Sequence, residues 1–239
     1  MKIYMDEAGR WPLYWPLHIW LVSSKITDKQ LKKHKLFQDS KALTPKKREV
    51  AFSEIQELEK NDKIICEIWT ISSEFIDTYW ITRAINTAIS KALYRMLSKI
   101  LWLKIKKNIK RSDIIKVIEN YQKENKETIE MIIDWKNDFW IWKELNIKTK
   151  TIVHWDAENV QISMASILAK VSRDKILDKT SLKYPEYNFD KHKWYWTKLH
   201  YKAIEENWVL PEHRKLFLKK IFPDRKILKF NENISFDSN

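Results

Sequence analysis

The chain has 239 residues, and its 45 Lys and Arg against 32 Asp and Glu give a formal net charge of +13. This balance suits a polyanionic partner, although a lysine-rich composition alone does not establish one. No apolar run approaches the roughly eighteen residues of a membrane span, the start does not resemble a signal peptide, and the single cysteine excludes an internal disulfide, so we expect a cytoplasmic protein with no membrane partner.

The first predicted element is a strand that leads to two adjacent acids. An apolar alternation over residues 2–5 is followed by Asp6 and Glu7, and Gly9 and Arg10 come soon after them. Adjacent carboxylates at a strand end repel each other unless a cation lies beside them, so a metal site is the economical explanation. An acid pair alone is most often a solvated turn, but a bare backbone and a phosphate-seeking guanidinium next to it strengthen the prediction.

The following segments predict an antiparallel meander with two helices. Residues 17–23 are apolar enough for a second strand, antiparallel to the first, and residues 64–71 predict a third. A helix is expected over residues 45–60. Ser73 is expected to cap a short turn, and a long helix with one apolar side is expected over residues 83–101.

A basic segment follows the long helix. Residues 104–111 are rich in lysine, and residues 113–123 have apolar side chains at helical spacing. Two interpretations are open for residues 104–127, namely an extra nucleic-acid contact and a surface helix with a solvated basic side. The second is the commoner origin of such a pattern and is the one we favour.

Two further predicted strands each lead to an acid. Residues 129–134 end on Asp134, and residues 147–153 are followed closely by Asp156. A helix with small apolar residues over 160–178 then predicts close packing on the sheet. Acids at the ends of different strands can converge in one cleft although they lie far apart in sequence.

The last part of the chain predicts a small basic unit. A loop is expected over residues 184–193, followed by two short helices near residues 197–206 and 212–220. The final residues are polar and are expected to be frayed.

The motifs along the chain match one family in order. The segment DEAGRWPLYWP at residues 6–16 resembles the DEAGRGPLAGP signature of ribonuclease HII, the type 2 ribonuclease H family, with tryptophan where the family has glycine. Six further segments match, at residues 39–41, 133–135, 155–157, 165–174, 192–197 and 209–214. The resemblance extends to about Phe222, and residues 104–127 look like an insertion relative to the family.

This resemblance implies a fold and a metal-dependent reaction. The expected fold class is α/β, an RNase H-like five-stranded mixed sheet flanked by helices, with a small C-terminal helical appendage. The expected units are a catalytic domain over residues 1–180, a substrate-binding appendage over 181–222 and a flexible tail over 223–239. The resemblance implies that two Mg²⁺ or Mn²⁺ ions are bound by four acids: Asp6, Glu7, Asp134 and Asp156.

The resemblance also implies a substrate. RNA differs from DNA by its 2′-hydroxyl, and the family reads this group at an RNA-to-DNA junction through a GRG backbone and a loop tyrosine. The corresponding residues here are Gly9, Arg10, Trp11 and Tyr195. Phosphate contacts are expected from Lys41, Ser166, Lys170 and Lys193. The expected partners are an RNA–DNA hybrid and duplex DNA with single ribonucleotides, cut by a monomer to leave 3′-hydroxyl and 5′-phosphate ends.

Several histidines and one further acid receive structural roles in this interpretation. His154, His192 and His213 are expected to be polar scaffold, because Mg²⁺ and Mn²⁺ prefer oxygen ligands. Asp174 follows an arginine on the predicted helix and is expected to support the site without binding the ions.

The tryptophan content is anomalous. The chain has 13 Trp and 1 Gly, whereas glycine ordinarily makes up about 7% of residues. Glycine is the default residue at positive φ and at close backbone approaches, where tryptophan is a poor substitute. Eight tryptophans lie where the family tends to have glycine: Trp11, Trp15, Trp80, Trp135, Trp155, Trp194, Trp196 and Trp208. We interpret this as a gene in which UGA encodes glycine, translated with a code in which UGA encodes tryptophan.

Two alternatives follow from the same residues. If the indoles are native, Trp11, Trp135, Trp155, Trp194 and Trp196 would crowd the cleft and favour a nucleic-acid-binding protein without efficient cleavage. Another two-metal nuclease or a recombinase on this type of sheet would explain the acids. It would not explain the Gly-Arg pair and the loop tyrosine together.

Overall fold

The computed structural model describes residues 1–37, 42–136, 138–152 and 159–222. Its strands are β1 Lys2–Ala8, β2 Leu17–Ser24, β3 Ile64–Ile71, β4 Glu130–Ile133 and β5 Lys148–Thr151. They form a five-stranded mixed sheet in the order β3-β2-β1-β4-β5. The predicted mixed sheet and its antiparallel meander are confirmed.

The register of the sheet decides where the acids lie. β1 is antiparallel to β2 and parallel to β4, and β4 is parallel to β5. Met5 of β1 is the partner of Ile133 of β4. The next residues on the two strands are Asp6 and Asp134, so these acids lie side by side at the carboxyl ends of neighbouring parallel strands.

Helices cover both faces of the sheet. They are α1 Asp28–Leu31, α2 Pro45–Lys60, α3 Ser73–Ile100, α4 Arg111–Asn125, α5 Ile141–Leu145, α6 Val160–Lys183, α7 Phe189–His192, α8 Lys198–Asn207 and α9 Lys215–Leu218. One buried cluster joins the sheet to α3, α4 and α5, and a second joins it to α2 and α6. Cys66 lies in the second cluster, as expected of a small core residue. No helix in the described ranges is both long and apolar enough to cross a membrane.

The N-terminal part of α3 corrects the prediction. The segment after Ser73 was expected to be a short turn, but it is helical, and the N-cap is Ser72, whose side chain accepts a hydrogen bond from the Phe75 N–H at 3.2 Å. The helix is interrupted at Trp80, which has φ 67° and ψ 158°. This break explains why the helical pattern of the sequence is clear only from about Arg83 onwards.

Other predicted boundaries also differ. The predicted loop over residues 184–193 contains a 3-10 turn at Pro185–Tyr187 and α7, and α9 is shorter than the predicted helix near 212–220. α6 continues to Lys183, so the predicted domain boundary at residue 180 falls inside a helix. α1 and α5 were not predicted, because helices of four and five residues are too short to show a periodic pattern.

α4 packs on the main domain. Its apolar side, with Ile114, Val117, Ile118 and Tyr121, is buried in the cluster that contains α3. Its lysines at 116 and 123 are exposed. This arrangement fits a surface helix with a solvated basic side.

The C-terminal helices build a third core. This cluster contains Phe189, Leu210 and Leu218, and it also takes in Leu13 and Tyr14 from the β1–β2 connection. The appendage is therefore packed against the connection that carries Gly9 and Arg10.

Candidate active site

Three of the four predicted acids are described, and they lie together. Asp6 and Glu7 are near the carboxyl end of β1, and Asp134 follows β4 directly. The Glu7 N–H donates a hydrogen bond to Asp6 Oδ1 at 2.8 Å, and the Ser166 hydroxyl on α6 also hydrogen-bonds to the Asp6 carboxylate. The predicted fourth acid, Asp156, lies outside the described residues, as do Lys41, His154 and Trp155.

The acids raise one another's pKa. Burial, with the charge of Asp134 as a further cause, raises the pKa of Asp6 to about 6, against the opposing effects of Ser166 and Lys170. Burial also raises the pKa of Glu7, to about 8, with Asp6 as the next cause and the Arg10 guanidinium opposing it. A cation beside these carboxylates would reverse both shifts, since it favours their charged form.

The donor set fits a hard divalent ion. Glu7 Oε2 is buried and has no hydrogen-bond partner among the described residues, so it is an acceptor that a cation would satisfy. The three acids offer only oxygen, which suits Mg²⁺ or Mn²⁺. No three His, Cys, Asp or Glu side chains in the described ranges are already arranged around a single point as metal ligands.

The loop after β1 has one position that only glycine fits. Gly9 has φ +89°, and a Cβ there would lie 2.6 Å from the Pro16 carbonyl oxygen. Next to it, the Arg10 guanidinium lies over the Trp135 ring, 4.2 Å from its centroid, and 5.0 Å from that of Trp11. Arg10 Nε and Nη1 are buried without a hydrogen-bond partner in the described part of the chain, so they remain donors for a ligand.

The predicted loop tyrosine lies on a strained turn close to the Gly9 loop. Tyr195 is 44% exposed and follows Lys193 and Trp194, which have φ 53° and 66°. The guanidinium of Arg173 lies 5.1 Å from the Tyr195 ring centroid and donates a hydrogen bond to the Lys193 carbonyl.

Two hydrogen bonds join this turn to the first loop. The Leu13 N–H donates to the Trp194 carbonyl at 2.9 Å, and the indole N–H of Trp196 donates to the Trp11 carbonyl. The two predicted parts of the junction reader, the Gly9 loop and the Tyr195 turn, are therefore in direct contact.

The predicted phosphate contacts fall into two places. Ser166 and Lys170 lie on α6 beside Asp6 and lower its pKa, Ser166 by a hydrogen bond and Lys170 by its charge. Lys193 is exposed and lines a cavity of about 320 Å³ that also includes Arg48 and Tyr195. Their contacts with phosphate stay predictions. Asp174, expected to be structural, lies 3.7 Å from Arg48 in an ion pair.

Sequence reasoning missed the role of Arg214. This residue is fully buried, and its guanidinium donates to the carbonyls of Gly9, Arg10 and Trp15. Its signals in the sequence are an arginine directly after His213 and its place in the matched segment at residues 209–214. His192 and His213 are buried and hydrogen-bonded to the backbone, in agreement with their predicted role as scaffold.

The tryptophan positions have glycine-like backbones. Within the described residues, positive φ occurs at Trp15, Trp80, Trp102, Trp140, Trp194 and Trp208. Trp80 and Trp208 have ψ of 158° and −171°, a combination that essentially only glycine adopts. Trp102 and Trp140 were not among the eight predicted positions. Three of the eight predicted positions do not have positive φ: Trp11, Trp135 and Trp196.

Comparison with known proteins gives one consistent match. Residues 3–222 match the family model described as Ribonuclease HII. A ribonuclease HII of Clostridioides difficile strain 630 is 34% identical over 217 residues, which is 91% of this chain and 69% of that protein.

Solved structures share the fold at lower identity. The ribonuclease HII in the PCNA:RNase HII complex of Archaeoglobus fulgidus aligns with a TM-score of 0.65 and 16% identity, over 98% of this chain and all of that one. A Bst RNase HIII in complex with Mn²⁺ aligns with a TM-score of 0.54 and 14% identity, over 77% of this chain and 55% of that one.

Proposed function

The chain belongs to the ribonuclease HII family and is a type 2 ribonuclease H, and from this premise we propose the details of its reaction. We infer that it is an endonuclease that hydrolyses RNA in RNA–DNA hybrids and single ribonucleotides embedded in duplex DNA. Its products would carry 3′-hydroxyl and 5′-phosphate ends, as expected of a cytoplasmic enzyme of ribonucleotide excision repair and DNA replication. The convergence of Asp6, Glu7 and Asp134 beside the Gly9–Arg10 loop supports this proposal best.

The proposed metal ligands are Asp6, Glu7, Asp134 and Asp156. Two divalent ions, Mg²⁺ or Mn²⁺, would supply activation of the attacking water and neutralisation of the departing oxygen. The chain's own contribution is to align these carboxylates. The β1–β4 register sets Asp6 next to Asp134, while Ser166 and Lys170 favour the charged form of Asp6.

The proposed junction reader has two parts. The backbone of Gly9, Arg10 and Trp11 would contact the 2′-hydroxyl, and the exposed Tyr195 ring would stack on the neighbouring deoxyribose. The positive φ of Gly9 and its close fit against Pro16 support the first part, since they fix the path of the backbone at that position. Lys41, Ser166, Lys170 and Lys193 would hold phosphates.

The test is cleavage of three duplexes by the purified protein with Mg²⁺ or Mn²⁺. One duplex is DNA with a single ribonucleotide, one is a continuous RNA–DNA hybrid, and the third is all DNA. We expect cleavage of the first two and none of the third, with 5′-phosphate ends on the products. Equal cleavage of all three duplexes, or products with 5′-hydroxyl and 3′-phosphate ends, would contradict the proposal.

One observation favours a second candidate function. The Arg10 guanidinium is stacked against the rings of Trp135 and Trp11, and Trp11 is 53% exposed. Indoles at this place could stack on bases and withhold Arg10 from a phosphate, which would give a nucleic-acid-binding protein without efficient cleavage. Tight binding of the duplexes without product in the same assay would support this function.

A further inference from the structure

Arg214 holds the Gly9 loop by its carbonyl groups. Its guanidinium donates to the carbonyl oxygens of Gly9, Arg10 and Trp15, with 2.6 Å from Nη1 to Arg10 and 3.0 Å from Nη2 to Trp15. The side chain is completely buried in the appendage core. These acceptors belong to the main chain, so the contacts do not depend on which side chains residues 11 and 15 carry.

This arrangement fixes the direction of two backbone donors. In a trans peptide unit the N–H points opposite to the C=O, and no cis peptide occurs in the described residues. Because the carbonyls of Gly9 and Arg10 point to Arg214, the N–H groups of Arg10 and Trp11 point away from it. Both amides therefore lie on the side of the loop opposite Arg214.

A histidine pair holds the Tyr195 turn in a similar way. The Leu210 N–H donates to His213 Nδ1 at 2.9 Å, so the proton of the neutral His213 ring is on Nε2. His213 Nε2–H then donates to His200 Nε2 at 3.2 Å, which leaves the His200 proton on Nδ1. His200 Nδ1–H donates to the Tyr195 carbonyl at 3.1 Å.

The surroundings keep this pair neutral. Burial lowers the pKa of His200 to about 3 and holds the pKa of His213 well below its ordinary value. His192 stacks on His200 with 4.2 Å between ring centroids and is itself hydrogen-bonded to the Tyr187 carbonyl at 2.7 Å. The pair therefore keeps one tautomeric arrangement across the physiological pH range.

The Arg214 contacts and the histidine pair are joined through adjacent residues of the chain. Arg214 follows His213 directly, and its N–H donates to the Leu13 carbonyl at 2.7 Å. We propose that Arg214 and His200 are positioning residues that set the spacing between the backbone donors of residues 10–11 and the Tyr195 ring. This spacing would determine the preference for an RNA-to-DNA junction over a continuous hybrid. The inference rests on the proposed function and assigns it two further residues.

The sharpest test compares two substitutions of His200 in the native full-length protein. In His200→Asn the side-chain amide can occupy the place of Nδ1 and still donate to the Tyr195 carbonyl. In His200→Gln the amide reaches the place of Nε2, so it keeps His213 as partner and loses Tyr195. Both variants lose the same ring stacking on His192, so they are matched in packing.

The measured quantity is the ratio of kcat/KM for the single-ribonucleotide duplex to kcat/KM for the continuous hybrid. We expect His200→Gln to lower this ratio about tenfold, roughly the effect of one hydrogen bond, and His200→Asn to leave it near the native value. Equal ratios in the two variants would overturn the assignment of His200.

Arg214→Lys tests the assignment of Arg214, because one ammonium nitrogen cannot take the places of the three guanidinium nitrogens that donate to these carbonyls. Its ratio should also fall about tenfold, while Arg83→Lys, at an exposed arginine paired with Glu144, should match the native protein. An unchanged ratio in Arg214→Lys, measured below its unfolding temperature, would overturn the assignment of Arg214. A native protein that cuts neither duplex would instead count against the proposed function.

Discussion

Asp6 and Glu7 form a partly buried acid pair whose charged forms are costly without a cation. Their pKa values are raised chiefly by burial and then by neighbouring acids, so ionising them without a counter-ion costs free energy. Part of the opposing effect comes from Lys170 on α6 and from Arg10 in the adjoining loop. A divalent ion would offset the remaining free-energy cost of ionising the two acids, so the site favours binding of such an ion.

Asp134→Asn is expected to abolish metal-dependent cleavage while duplex binding remains detectable. The change removes one proposed ligand, whereas binding depends mainly on phosphate contacts. Without metal, the same variant should unfold at a higher temperature than the native protein near pH 8, because it removes a charge that repels Asp6 and Glu7. Cleavage assays, gel-shift binding and thermal unfolding would measure these effects. Normal turnover by the variant would refute the assignment.

Stabilisation by Mg²⁺ should depend on pH. The folded-state pKa values of Asp6 and Glu7, about 6 and about 8, lie above the ordinary values near 4. The metal-free protein therefore loses stability as pH rises from about 4 to about 8. Mg²⁺ binds the ionised acids, and below about pH 5 it must compete with protons. The increase in unfolding temperature on adding Mg²⁺ should therefore be large above about pH 8 and small at about pH 5. An increase that does not vary with pH would contradict the raised pKa values.

Tyr195→Ala should reduce cleavage at a single embedded ribonucleotide more than cleavage of a continuous hybrid. A hybrid offers many binding registers, whereas a single junction offers one, so loss of the stacking ring matters more for the junction. The measurement is kcat/KM for each duplex. Tyr79→Ala is a matched control, because Tyr79 is also exposed but lies on α3. Equal losses on both duplexes would count against Tyr195 as a junction reader.

Among the elements, α3 has the clearest local conflict between sequence and backbone. Trp80 interrupts the helix in a conformation that glycine adopts freely, and its side chain is 59% exposed, so burial contributes little to compensate. Such a conformation costs about 1–3 kcal/mol for a residue with a Cβ. The break separates the first turns of α3 from the part that packs on the sheet.

Trp80→Gly is therefore expected to stabilise the protein. Relief of the backbone strain should exceed the roughly 0.5–1 kcal/mol entropic cost of glycine, for a net gain of about 1 kcal/mol in the free energy of unfolding. Trp80→Ala retains a Cβ and should gain little. Trp69→Gly is the opposite control, since Trp69 is partly buried against the main core and its loss should destabilise the fold. Denaturant unfolding would give all three values. A loss of stability in Trp80→Gly would show that the indole is native to that turn.

The predictability of each element followed its length and its side-chain pattern. β2 and β3 were placed within a residue of their observed ends, because apolar runs mark strands well, whereas β1 continues past its apolar alternation to Ala8. The start of α3 was missed because the helix is interrupted at Trp80, so the apolar pattern does not continue across this residue. The role of Arg214 was missed because its acceptors are carbonyls about two hundred residues away, and backbone acceptors have no sequence signature.

At the scale of the whole molecule, the appendage and the β1–β2 connection form one unit beside the proposed active site. Their shared cluster contains Tyr14, Trp15 and Trp194, and the rings of Trp15 and Trp194 are stacked with 6.1 Å between their centroids. Trp194 is almost completely buried, yet its indole nitrogen has no hydrogen-bond partner among the described residues. A buried donor without a partner costs free energy, and a glycine at this position would remove it.

The mass of the native protein depends on whether its tryptophan positions carry tryptophan or glycine. If UGA encodes glycine in the source gene, the native protein should weigh less than 29.1 kDa by one Trp-to-Gly difference for each reassigned codon, as intact mass spectrometry would show. The six described tryptophans at positive φ support this reading, because such positions favour glycine.

Two synthetic genes provide the functional half of the test. One encodes the chain as printed, and the other encodes glycine at 11, 15, 80, 135, 155, 194, 196 and 208. The glycine protein should unfold at a higher temperature, since ~1–3 kcal/mol of strain at several positions is comparable to the whole stability of a domain. It should also cut a single embedded ribonucleotide far better, because no indole would stand beside the Gly9–Arg10 backbone. A native mass equal to that of the printed chain, together with equal activity from both genes, would show that this family accepts indoles at its turns and in its cleft.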